Sequence, residues 1–110
     1  MNTDPWTKLA RVDDCAVGKG RFVAVGDLEL AIFRLADPER FIVTKNSCPH
    51  AGGNLAAGEV NGMVVTCPWH QWPFSLETGT CTLSDSVHLR RYETTVIEGY
   101  VCAKLDRPLA

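Results

Sequence analysis

The chain has 110 residues, enough for one domain with its own apolar core; 45% of them are hydrophobic and 22% are charged. Its net charge of −2 argues against a nucleic-acid partner, and no stretch approaches the roughly 20 apolar residues that span a bilayer. The first 14 residues contain acids, a proline and no apolar run, unlike a signal peptide. We therefore expect a soluble, cytoplasmic protein that binds neither nucleic acid nor membranes.

Both ends of the chain predict β-strands separated by turns. Short apolar runs at 21–25, 28–35 and 41–45 are separated by Gly26-Asp27 and by the turn sequence ADPER. The far end repeats this pattern in a predicted hairpin, with strands at 91–97 and 100–105 and a turn at Glu98-Gly99. No segment has a convincing helical pattern. We therefore predict an all-β protein whose base is an antiparallel sandwich or barrel.

The middle of the chain, residues 46–82, differs from its flanks in composition. It contains no lysine or arginine and only two acids, Glu59 and Glu77, although it is rich in glycine, proline and tryptophan. We predict that 1–45 and 83–110 pair as one base and that 46–82 is an inserted subdomain of the same single domain. A strand at 63–66 is expected to lead into Cys67.

Four candidate metal ligands lie in this insert, in the sequences CPH and CPWH. Cys48 and His50 form a C-x-H pair, and Cys67 and His70 follow sixteen residues later as C-x-x-H. Two thiolates and two imidazoles are also a ligand set for a structural zinc ion, which would make the protein a zinc-binding interaction module. Zinc fingers usually pair like ligands within one loop, whereas each loop here mixes one cysteine with one histidine. Mixed loops suit a two-iron cluster in which each loop gives one ligand to each iron.

The spacing CPH, sixteen residues, CPWH closely resembles the Rieske [2Fe–2S] signature. Residues 48–81, which begin with CPHAGG and end with LETGTC, are similar to two groups of proteins: the soluble Rieske ferredoxins of bacterial dioxygenases and the small subunit of NAD(P)H nitrite reductases. This resemblance implies a Rieske-like fold with a cluster-binding subdomain. It also implies that Cys48 and Cys67 bind the buried iron, while His50 and His70 bind the outer iron.

The resemblance further implies a one-electron carrier that is not itself an enzyme. Its donor would be a flavin-dependent reductase and its acceptor a terminal oxygenase. The alternative that the resemblance leaves open is a small subunit held by the large subunit of a nitrite reductase. Because the insert has no lysine or arginine, we expect docking to depend on apolar contact more than on charge.

The remaining cysteines and aromatic residues have simpler interpretations. The chain has five cysteines, and Cys15, Cys81 and Cys102 have no ligand spacing, so we interpret them as small buried hydrophobic residues. Trp69 lies between two ligands and is expected to point outward, whereas Trp72 is expected to pack under the loop. Two further expectations follow for single residues: His88 lies on the surface, and Gln71 is strained if its φ is positive.

Overall fold

Strands dominate the computed structural model, which describes residues 6–36, 39–47, 54–69 and 71–109, with the backbone alone at 85, 86, 107 and 108. Along these residues the strands are β1 (Trp6–Arg11), β2 (Lys19–Val25), β3 (Leu28–Leu35), β4 (Arg40–Lys45), β5 (Glu59–Asn61), β6 (Val64–Thr66), β7 (Pro73–Ser75), β8 (Thr80–Cys81), β9 (Ser84–His88), β10 (Arg91–Ile97) and β11 (Tyr100–Leu109). The helices of the described residues are two 3₁₀ turns of three residues each, Val12–Asp14 and Leu55–Ala57. Neither is long and apolar enough to cross a bilayer. The predicted all-β fold is confirmed.

The base of the molecule is a six-stranded antiparallel sheet in the order β1-β11-β10-β4-β3-β2. Its two edge strands, β1 and β2, also contact each other, so the sheet curls towards a barrel. The chain's two flanks meet where β10 pairs with β4, through Arg91 opposite Thr44 and Tyr92 opposite Val43. They meet again where β1 pairs with β11. Strands from both flanks therefore share one sheet, whereas the division into base and subdomain stays a prediction.

A second, five-stranded antiparallel sheet lies between β4 and β10 in the chain, in the order β5-β6-β7-β8-β9. The strand expected at 63–66 is β6. This sheet takes its strands from residues 59–88, so it includes β9, which begins just after residue 82. The assignment of 46–82 as a cluster-binding subdomain stays a prediction.

Strand β3 joins the two sheets because it is buried on both of its faces. Successive side chains of a strand point to opposite faces. Leu30 and Ile32 pack inside the curled sheet with the buried residues Cys15, Val43, Tyr92, Val101 and Ala103. Ala31, Phe33 and Leu35 pack in another cluster with Val65, Phe74 and Leu76 of the second sheet or the segment following it. The second sheet is thus held against the outer face of the base.

A glycine allows the 3₁₀ turn Leu55–Ala57 to lie close against the base. A Cβ on Gly20 of β2 would stand 2.5 Å from the carbonyl oxygen of Ala56 and 2.8 Å from a ring carbon of Phe33. Any other residue would therefore push the turn off β2. Because this turn follows the loop that carries Cys48 and His50, Gly20 helps to fix the end of that loop.

Candidate metal centre

Of the four predicted ligands, Cys67 lies within the described residues, whereas Cys48, His50 and His70 lie outside them. Cys67 directly follows β6, and its side chain is fully buried. Its Sγ accepts a hydrogen bond from the backbone N–H of Trp69 at 3.4 Å. A buried sulfur that receives an amide N–H fits a thiolate ligand, because the N–H favours negative charge on the sulfur. The described donor chemistry therefore fits a Rieske cluster.

The loop between β6 and β7 is closed at its base by the backbone. The N–H of Cys67 donates to the carbonyl of Trp72 at 2.8 Å, and Thr66 stands opposite Pro73 in the ladder. Gln71 has a φ of 60°, the left-handed conformation that favours glycine, so the expected backbone strain at this position is confirmed. The two described ends of this loop, at Cys67 and Trp72, therefore lie side by side.

The two tryptophans of this loop occupy different environments, as predicted. The side chain of Trp69 is 56% exposed. Trp72 is half-buried and packs against the apolar cluster that contains Cys67. Trp72 therefore supports the loop from below, and Trp69 presents an indole ring to the outside.

The other predicted loop is described at both of its ends. Ser47 and Asn54 form an antiparallel bridge, so residues 48–53 lie between two paired positions. The carbonyl of Asn46 accepts a hydrogen bond from the N–H of Leu55 at 2.9 Å. Leu55 itself is fully buried. The loop that carries Cys48 and His50 therefore begins and ends at a fixed, hydrogen-bonded base.

The bases of the two loops lie against each other. Leu55, which ends the first base, belongs to the same apolar cluster as Cys67. Gly58 lies so close to the strand before Cys67 that a Cβ there would collide with the carbonyl oxygen of Thr66. Strand β5 follows the first loop, strand β6 precedes the second, and these two strands are paired with each other. This packing supports, without testing, the prediction that both loops contribute to one site.

The remaining cysteines and His88 agree with their simpler interpretations. Cys15, Cys81 and Cys102 are buried and are not joined in disulfides. Burial raises the pKa of the Cys15 thiol, with Arg21 and Arg34 acting in the opposite direction. His88 is exposed. Within the described ranges, no three or more histidine, cysteine, aspartate or glutamate side chains form a second metal-binding group.

The family model and the known proteins that match this chain agree on one family. The model of the Rieske [2Fe–2S] domain matches residues 5–93. Ferredoxin CarAc of Metapseudomonas resinovorans is 35% identical over 98 residues, which cover 87% of this chain and 90% of that protein. Larger relatives also match: the chain spans 16% of the length of cholesterol 7-desaturase of Hemicentrotus pulcherrimus, at 35% identity.

Solved structures share the whole architecture. A chain of the complex of reduced oxygenase and oxidized ferredoxin in carbazole 1,9a-dioxygenase superposes with a TM-score of 0.83 and 31% identity, covering 98% of this chain and 100% of that one. An NADH-dependent nitrite reductase small subunit from Mycobacterium tuberculosis superposes with a TM-score of 0.80 and 27% identity, covering 89% and 92% of the two chains. Both similarities extend over nearly the full length of this chain.

Proposed function

This chain belongs to the Rieske [2Fe–2S] domain family, and we propose that Cys48 and Cys67 bind one iron of its cluster while His50 and His70 bind the other. The observation that supports this ligand set most directly is the spacing of CPH and CPWH on two loops whose bases pack together through Leu55 and Cys67. Residues 46–82 are then the cluster-binding subdomain, which β9 joins by pairing with β8, and the six-stranded sheet is the base. The buried sulfur of Cys67 suits a thiolate ligand of this cluster, and the three other ligands follow from the spacing of the sequence.

The protein acts as a one-electron carrier and not as an enzyme. When the oxidised cluster is bound, its two ferric ions, two sulfides and two thiolates sum to zero charge, since the imidazoles are neutral. A cluster with four thiolates would carry a charge of −2, so the neutral cluster is the easier of the two to reduce. The chain's own residues exclude water from the Cys67 sulfur and hold the loop bases rigid between β4, β6 and β7. A rigid shell lets the electron enter and leave with little rearrangement of the protein.

We propose a flavin-dependent reductase as the electron donor and a terminal oxygenase as the acceptor. The similarity to ferredoxin CarAc, which extends over 90% of that protein, and to a chain of a ferredoxin–oxygenase complex supports this assignment. A permanent subunit bound to the large subunit of a nitrite reductase is the second candidate, supported by a neighbour with a TM-score of 0.80. A purified monomer that a flavoprotein reduces would favour the first role, and a stable complex with a large haem-containing chain would favour the second.

The reducing cytoplasm is the proposed location. Four cysteines of this small domain form no disulfide: Cys15, Cys67, Cys81 and Cys102. Small domains of oxidising compartments instead tend to use their cysteines as disulfides.

Spectroscopy of the purified protein tests the cluster assignment. We expect a red-brown protein with two irons and two sulfides per chain, and an EPR signal with a low average g value after reduction. A zinc-binding interaction module would be colourless and would give no such signal. A colourless protein that contains one zinc ion per chain would therefore contradict the proposed function.

We expect electron transfer to the acceptor to change little with ionic strength. The exposed Trp69 offers an apolar contact next to the predicted ligands, and residues 46–82 contain no lysine or arginine. Between 0.01 and 1 M salt the screening length falls from about 30 Å to about 3 Å, which weakens docking by charge but not docking by apolar contact. The measurement is the second-order rate of acceptor reduction at both salt concentrations. A steep fall in this rate would contradict apolar docking while leaving the cluster assignment intact.

A further inference from the structure

Asn46 is one of two buried polar side chains among the described residues, together with Thr44. It directly follows β4 and lies two positions before Cys48, at the start of the first predicted cluster loop. Only 5% of its surface is exposed. Burying an amide is unfavourable unless its polar atoms are hydrogen-bonded, so the partners of Asn46 indicate what the residue does.

The side chain of Asn46 binds the far end of the loop through both of its polar atoms. Its Nδ2 donates to Oδ1 of Asn54 at 2.9 Å, and its Oδ1 accepts the backbone N–H of Ala56 at 2.8 Å. These partners lie immediately after residues 48–53. One amide group therefore connects the two ends of the loop, in addition to the backbone bridge between Ser47 and Asn54.

The backbone of Asn46 connects the same loop to the base. Its N–H donates to the carbonyl of Glu29 on β3 at 2.9 Å, and its carbonyl accepts the N–H of Leu55 at 2.9 Å. Asn46 is thus hydrogen-bonded to the base sheet on one side and to the 3₁₀ turn on the other. A shift of either part would be transmitted to the loop through this residue.

Asparagine meets these requirements in a way that related side chains do not. Its amide has a donor and an acceptor on one short planar group, whereas an ionised aspartate only accepts and leucine does neither. Glutamine has the same groups on a stem that is one methylene longer, so its amide would not stand where it meets both partners. The hydrogen-bond pattern therefore depends on this side chain in particular.

We propose that Asn46 is the positioning residue of the first cluster loop: its amide fixes the two ends of residues 48–53 and so sets where Cys48 and His50 stand. This inference rests on the proposed function, because it assumes that these two residues are ligands. Groups that orient metal ligands without touching the metal affect binding strongly, commonly by about 10- to 100-fold. Asn46 acts through the loop and has no chemical role of its own.

The test compares three variants of the full chain with the wild type. Asn46→Leu keeps the branching at Cγ and removes both side-chain hydrogen bonds, although leucine is the larger residue. Asn54→Ala removes the Nδ2–Oδ1 bond from its exposed partner, so packing around Asn46 is preserved. Asn61→Ala, at an exposed asparagine of β5, is the matched control.

We expect a chelator to remove the cluster about 10-fold faster from Asn46→Leu than from the wild type, and faster by a smaller factor from Asn54→Ala. Both variants should shift the midpoint potential and the EPR g values of the remaining cluster, while Asn61→Ala should equal the wild type. These spectroscopic readouts report the ligand arrangement, which a merely structural role would leave unchanged. If Asn46→Leu does not fold, the cluster-loss rate, midpoint potential and g values of Asn54→Ala test the proposal instead.

The outcomes separate this inference from the proposed function. A wild type with two irons and a Rieske EPR signal, together with variants that match it in potential, g values and cluster-loss rate, would overturn the role of Asn46 alone. A lower melting temperature without those changes would have the same meaning. A wild type that binds no [2Fe–2S] cluster would overturn both.

Discussion

Cys67→Ser is expected to purify without the cluster, with neither iron, visible colour nor the EPR signal of the reduced state. The reason is chemical, because iron in such clusters is bound by a thiolate and the serine hydroxyl keeps its proton at neutral pH. The site of Cys67 is fully buried, so water does not readily replace the missing ligand. Iron analysis, sulfide analysis and the visible spectrum of the purified variant measure the effect, which should approach complete loss.

The chain offers a closely matched control in Cys81. Like Cys67 it is buried in the apolar cluster around β6 and β7, and its Sγ accepts a backbone N–H, from Leu83, at 3.4 Å. Cys81→Ser therefore makes the same chemical change in similar surroundings but at a residue without ligand spacing. We expect it to retain both irons. Retention of the cluster in Cys67→Ser, or equal loss in both variants, would contradict the ligand assignment.

The fold was predictable from sequence where apolar runs and turn residues agree. The expected strand 28–35 is β3, and 91–97 is β10. The turn between 97 and 100 was predicted at Glu98-Gly99, and both residues adopt left-handed φ values, 51° and 83°, as a two-residue hairpin requires. The burial of both faces of β3 was not predicted, because it depends on the second sheet, which is distant in sequence.

Strands β8 and β9 were not predicted because their residues carry a weak strand signal. The segment from Thr80 to His88 is rich in serine and threonine, and no strand was predicted there. Its strands are stabilised by pairing, with Cys81 opposite Phe74 of β7 and His88 opposite Thr80. Neighbouring strands supply backbone hydrogen bonds whatever the side chains, so context outweighs propensity here.

The candidate site, like the fold, has features that were predictable from the sequence and one that was not. The ligand pattern is a local signal, and the strain at Gln71 was predictable from the resemblance, since similar sequences often have glycine at this position. The role proposed for Asn46 depends on Glu29 and on residues 54–56, which lie in separate segments. An asparagine at the end of a strand is common in turns of many kinds. Only the folded arrangement distinguishes it from a loop residue with no further role.

Phe33→Ala is expected to lower the free energy of unfolding by about 4 kcal/mol, the usual cost of removing a fully buried phenylalanine. Phe33 is fully buried on the face of β3 against which the second sheet packs, and its ring lies close to Gly20 and the 3₁₀ turn. Since small domains have only about 5–15 kcal/mol of stability, this change would remove much of it. The melting temperature should fall by about 15 °C.

The matched control is Phe22→Ala on β2, where the side chain is 46% exposed. Truncating it leaves little cavity, so its cost should be below about 1 kcal/mol. The loss of the cluster on heating should follow unfolding in Phe33→Ala, because the loop bases and Phe33 belong to one packed unit. Equal melting temperatures for the two variants would show that the insert does not depend on Phe33 for its attachment. Cluster loss in Phe33→Ala well before the base unfolds would instead show that the two sheets separate, so that the contact between β3 and the second sheet is the weaker part of the fold.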